Sequence, residues 1–142
     1  MFVYRYDAMR ELLDKHRDYA ENTHECLLIE YIDPLTGGSV YRTMTFFMQM
    51  VRKGERTLPI KQSASLLVAP FEGRGHALVE GKRFELARFD TVAIPGGHWV
   101  EYVNDDSDPL ILFVASDEPA LAAFGLLTRY GRNASGDVVK LL

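Results

Sequence analysis

From Tyr41 to Ser116 the chain reads as one short apolar run after another, each ended by glycine, proline or a polar turn. YRTMTFFMQMV (Tyr41 to Val51) stops at Lys53-Gly54, and ASLLVAPF (Ala64 to Phe71) stops at Gly73. HALVE and KRFEL flank Glu80-Gly81 with the spacing of a hairpin. TVAIP, HWVEYV and PLILFVAS follow, separated by Pro95-Gly96-Gly97 and by NDDSD. Six to eight short strands at this regular spacing predict a closed barrel or a two-sheet sandwich.

The flanks read differently. Asp7 to Ala20 places Met9, Leu12, Leu13, His16 and Tyr19 on one stripe, which predicts an amphipathic helix with Asp7 as cap. CLLIEYI (Cys26 to Ile32) reads as a strand and DPLTGGS as a turn. A second helix is expected from Ser116-Asp117 through LAAFGLL, because a capping side chain precedes Glu118 and Pro119. RYGRNASGD reads as a polar, mobile tail, and VVKLL as a strand that docks on the body or on a partner. With no repeat and no linker, the chain is expected to be a single domain, 1–142. Its expected parts are a helical extension (1–24), a barrel (25–116) and a C-terminal helix and tail (117–142).

Composition narrows the classes of function. A length of 142 residues, 47% hydrophobic and 25% charged, suits one soluble core. A net charge of −4 argues weakly against nucleic-acid binding, which usually needs a basic face. No apolar run reaches ~18 residues, so no membrane span is expected, and the N-terminus does not read as a signal peptide. Cys26 is the single cysteine, which forbids an internal disulfide and points to a reducing, cytoplasmic compartment.

Two stretches carry a resemblance. GERTLPIKQSASLLVAPFEG (Gly54 to Gly73) and FDTVAIPGGHWVEYVN (Phe89 to Asn104) keep the spacings of the two cupin motifs. Both glycines of the first are present, as are Pro95, Gly97 and Asn104 of the second; Phe89 stands where the second begins with glycine. The chain therefore resembles the cupins, which implies an all-β, double-stranded β-helix or jelly-roll barrel with short N- and C-terminal helices. A tighter likeness runs through YIDPLTGGSV, RKGERTLP, EGRGHALVEGKRFELARFDTVAIP and ILFVASDEPALAAFGLL. These resemble the C-terminal half of gentisate 1,2-dioxygenases. That family implies two barrels in one chain, with iron and ring cleavage in the N-terminal one.

The motif positions that hold metal in cupins read Ile60, Gln62, Leu66 and Val100 here. A mononuclear oxygenase iron needs imidazole or carboxylate donors. Ile60, Leu66 and Val100 offer none and Gln62 offers one amide oxygen, so no catalytic residue, metal or cofactor is assigned. The interest moves to a pocket. In an unbroken strand His98, Val100 and Tyr102 share a face. With Gln62, His98 and Tyr102 would line a polar patch in an apolar barrel, the usual form of a small-ligand site. The competing reading leaves His98 at the barrel mouth beside Gly96-Gly97, in water. Trp99 then points outward, against the N-terminal helix or another subunit. Met44, Phe46, Met48 and Met50 form one face of a strand whose other face is also partly apolar, so it is expected to be covered on both sides, with a second chain as one candidate cover. Arg52, Lys53, Arg56 and Lys61 form a solvated rim or attract a carboxylate.

The expected function is a non-catalytic, single-domain cupin tied to aromatic-compound metabolism, binding a small aromatic or carboxylic ligand or serving as an assembly subunit. A homodimer or higher homo-oligomer, or a complex with a catalytic cupin, is expected; nucleic acid and membrane are not. The alternative is a ring-cleaving dioxygenase whose iron sits in an unorthodox site or one completed by a partner chain.

Overall fold

The computed structural model describes residues 2–19 and 23–142. Helix α1 (Tyr6–Lys15) precedes strands β1 (Leu27–Glu30), β2 (Thr45–Val51), β3 (Ile60–Gln62), β4 (Leu66–Glu72), β5 (Gly75–Val79) and β6 (Lys82–Leu86). Strands β7 (Val92–Ile94), β8 (Trp99–Val103) and β9 (Leu110–Ser116) follow, then α2 (Glu118–Ala123), β10 (Arg129–Arg132) and β11 (Val138–Lys140). They form two antiparallel sheets, in the orders β1-β2-β9-β4-β7 and β11-β10-β3-β8-β5-β6.

The period of two along each strand decides what the sheets enclose. Val51, Val68, Leu110, Leu112 and Val114 from one sheet meet Ile60, Ala77, Leu86, Val100 and Tyr102 from the other, making the barrel core. The alternate residues of the five-stranded sheet build a second core outside it. There Met48, Met50 and Ile111 receive Met9 and Leu13 of α1. Burying Leu13 completely contributes about 2 kcal/mol, which a helix of this length needs to hold its place. Met48 and Met50 of the stripe are thus covered by the chain's own helix, whereas Phe46 borders an open groove. Beside α1 the outer face continues as an aromatic ladder, with Phe46, Phe113 and Phe71 stacked across three strands at ring spacings of 5.7 and 5.6 Å. Tyr4, Tyr6, Tyr31 and Tyr41 border the open groove along this ladder, of about 580 Å³.

Several elements differ from expectation. Helix α1 starts at Tyr6, so Asp7 lies inside its first turn, where its carboxylate accepts from the Ala8 amide, and it ends at Lys15, short of the expected Ala20, which itself lies outside the described residues. The strand expected from Tyr41 begins at Thr45. The tail is the main correction. RYGR is strand β10, paired to β3, and VVK is strand β11, paired to β10, so the six-stranded sheet extends well past residue 116. The polar residues of RYGR conceal β10, which is held by the ladder that β3 offers, while the strand expected in VVKLL is β11. No helix among the described residues is long and apolar enough to cross a membrane.

Two turns depend on positive φ. Glu80 (φ 50°) and Gly81 (φ 77°) both lie in the left-handed region, the type I′ geometry that matches hairpin twist. Phe89, with φ 76°, occupies a conformation in which an L side chain costs about 1–2 kcal/mol. It is also 88% exposed, so little packing compensates. The Arg88 guanidinium 4.9 Å from its ring returns roughly 0.5 kcal/mol. Phe89→Gly is therefore expected to stabilise the domain by about 0.5–1 kcal/mol. A thermal melt with Phe89→Gly at or below the wild-type midpoint would contradict this account of the turn.

Candidate functional site in the barrel interior

Strand pairing brings the distant motif positions together. Ile60 of β3 pairs with Val100 of β8, and Gln62 of β3 pairs with Arg129 of β10. Tyr102 lies two residues beyond Val100 and so shares its inward face. Leu66 reaches the same space from β4 in the opposite sheet. Together these residues surround an interior pocket of about 40 Å³, also bounded by Phe47, Val114, Glu25 and Glu118. That volume suits water and is too small for an organic acid.

The polar side of the pocket is a network centred on Arg129. Its Nη2 donates to Glu118 Oε2 at 3.0 Å and to Gln62 Oε1 at 3.3 Å, while Nη1 lies 3.8 Å from Glu25 Oε1. The side chains of Arg129, Glu25 and Glu118 are only 20–23% exposed, so the pairing is screened less than a surface ion pair. Burial raises the Glu118 carboxyl above the usual carboxylate range; Arg129 opposes this, and Glu30 and Glu25 add to it.

Tyr102 is the apolar side's exception. Its backbone is pinned, since its N–H donates to Thr57 Oγ1 at 2.8 Å and its carbonyl accepts from the Thr57 N–H at 2.9 Å. The ring is therefore fixed, only 4% exposed, and its hydroxyl has no hydrogen-bond partner among the described residues. Burial, first, and the nearby Glu25 carboxylate push the phenol far above its ordinary range, so it is a neutral donor.

The sequence-predicted residues separate into two groups. Gln62 and Tyr102 face the pocket, along with Ile60, Leu66 and Val100. His98 does not line it: it precedes β8, and its Nδ1 lies 3.1 Å from the Pro95 carbonyl oxygen and 3.2 Å from that of Gly96. The reason is Gly97, whose φ of 83° breaks the strand parity on which His98's inward placement depended. Trp99 faces outward as expected, but Arg132 and Lys61 cover it, at 4.6 and 5.8 Å from its ring, in place of a helix. The basic rim is largely engaged as well, with Arg52 on Glu55 at 2.9 Å and Arg56 on Glu101 at 2.7 Å. Burial, then a hydrogen bond with Glu55, raises the Cys26 thiol, which keeps it protonated and unreactive.

Sequence reasoning missed Arg129, Glu118 and Glu25. Arg129 stood in the segment read as a tail. The available signal was the alternation of Arg129 with Gly131, a small residue whose added Cβ would come within 2.3 Å of His24 Nε2. Among the described residues there is no group of three or more His, Cys, Asp or Glu placed to hold a metal ion.

Two antiparallel sheets closed around these inward motif positions have the architecture of a cupin barrel, and the chain has the cupin-type fold. No family model matches it. Its relatives include dioxygenases: it is 35% identical over 98 residues to a gentisate 1,2-dioxygenase of Streptomyces, an overlap of 69% of this chain and 27% of that one. Salicylate 1,2-dioxygenase from Pseudoaminobacter salicylatoxidans superimposes with a TM-score of 0.79 at 24% identity, over 92% of this chain and 37% of that one. A cupin 2 domain-containing protein from Halorhodospira halophila has the same fold, with a TM-score of 0.58 at 15% identity, over 70% of this chain and 68% of that one. The chain spans about a third of the length of the curated relatives it matches.

Proposed function

We propose that this chain is a companion cupin of a gentisate-type ring-cleaving system: a barrel that binds a small carboxylic ligand and assembles, and does not itself cleave the ring. The observation that carries this reading is the convergence of Ile60, Gln62, Leu66 and Val100 on one interior pocket. The barrel geometry that would gather ligands is intact, and the side chains it gathers do not fit an iron centre. Three are hydrocarbon and the fourth is an amide already accepting from Arg129. The alternative, ring cleavage at an unorthodox or shared site, has no donor cluster among the described residues to build on.

Metal analysis of untagged protein purified without chelator tests this directly. The expected result is no stoichiometric iron or manganese, and no oxygen uptake with gentisate after Fe(II) is added. About one iron per chain together with turnover would overturn the reading.

Assembly belongs to the same proposal. Tyr41 (60% exposed), Phe71 (40%) and Tyr4 (37%) leave an aromatic face open on the five-stranded sheet, the kind of patch that marks a protein interface. Sedimentation is expected to show a dimer that dissociates on dilution. A monomer mass at every concentration would remove the assembly half of the proposal.

A further inference from the structure

We propose that the barrel interior is a site for a short monocarboxylate, acetate to glycolate in size, which takes the place of the Glu118 carboxylate on Arg129. The proposal rests on the companion-barrel reading, in that the interior serves a ligand and not an iron centre.

Charge, hydrogen bonding and space each support it. Arg129 is the permanent cation among the residues lining the pocket, and the planar guanidinium suits a carboxylate held by two parallel hydrogen bonds. The second polar anchor is Tyr102, whose fully buried hydroxyl has no partner among the described residues and opens on the same pocket. A buried donor left in this state costs free energy that a ligand oxygen would restore. Ile60, Leu66 and Val100 supply hydrocarbon walls for a methyl or methylene group.

The acid must exchange for Glu118, not add to it. Glu25 and Glu118 already face one guanidinium, so a third carboxylate would raise the repulsion, whereas replacement keeps the charge count unchanged. Glu118 is also a weak incumbent, since burial already disfavours its charged form. It belongs to α2, a six-residue helix with no buried residue, which can withdraw without opening a core. The existing 40 Å³ holds water only. With the space left by the Glu118 carboxylate added, it accepts an acid of about two or three carbons.

Titration of the full chain with ¹³C-acetate and glycolate, followed by NMR, tests the exchange. Glu118→Gln is expected to bind acetate about tenfold more tightly than wild type, because the competitor's charge is gone. Tyr102→Phe in that background should weaken binding by about threefold to tenfold. Arg129→Met should abolish it; if that variant does not fold by near-ultraviolet circular dichroism, Arg129→Lys should bind about tenfold more weakly, the fork being lost. Equal acetate affinity in wild type and Glu118→Gln would overturn the proposal. So would binding undiminished by substitution at Arg129, or an interior holding water alone, with no shift at Gln62, Tyr102 or Arg129. The iron measurement is separate: iron-free protein that ignores acetate sinks this proposal alone, and iron with turnover sinks the companion reading.

Discussion

Gly73→Ala is expected to lower stability by about 3–5 kcal/mol, while Gly54→Ala, at the other end of the same motif, costs only about 1–2 kcal/mol. Both glycines have left-handed φ, 77° and 69°, so both substitutions incur the strain of an L side chain there. They differ in what surrounds them. A Cβ on Gly54 would meet nothing within 4 Å, whereas one on Gly73 would come 2.3 Å from the Pro109 carbonyl oxygen and 3.1 Å from the Leu110 Cα. Those are backbone atoms at the entrance to β9, a central strand of its sheet, and they cannot step aside as a flexible side chain would. At roughly 3–4 °C per kcal/mol for a domain of this size, the Gly73 variant should melt about 10–20 °C below wild type. Equal melting temperatures for the two variants would show that close approach at Gly73 contributes nothing.

Asn104→Ala is expected to cost about 3 kcal/mol. Asn104 is fully buried, and its amide works as a three-way brace. Nδ2 donates to the Val51 carbonyl at 2.9 Å and to the Asp108 carbonyl at 2.8 Å, and Oδ1 accepts from the Asp106 N–H at 3.1 Å. The end of β2 and the loop before β9 are thereby tied to the end of β8. Alanine would leave the buried Val51 carbonyl and the half-buried Asp108 carbonyl without their side-chain donor. Asn104→Asp keeps the size but loses the donor and sets a carboxylate against two carbonyl oxygens, so it should cost at least as much. Denaturant melts in which Asn104→Asp matches wild type would refute the donor account.

These two residues also explain why the motifs were readable. A glycine needed for both φ and close approach, and an asparagine needed for three hydrogen bonds, leave a spacing that survives in the bare sequence. The central strands were legible for a related reason: alternation and glycine or proline stops are local, and β4 to β9 carry both. β10 was not, because RYGR becomes a strand only when β3 presents its ladder, whereas VVKLL reads as a strand and supplies β11, which pairs with β10. His98 shows the limit of parity arguments, which hold within a strand and fail one residue outside it, at Gly97.

Periodicity along the sequence by itself determined an all-β body with flanking helices, and motif spacing carried the resemblance that sets Ile60, Gln62, Leu66 and Val100 at the cupin ligand positions. Only the tertiary structure decided what shares the interior with them. Arg129 reaches Gln62 across 67 residues, and Glu118 meets Arg129 over the barrel mouth. Such contacts arise from strand pairing and packing between distant segments, and no local pattern along the chain encodes them.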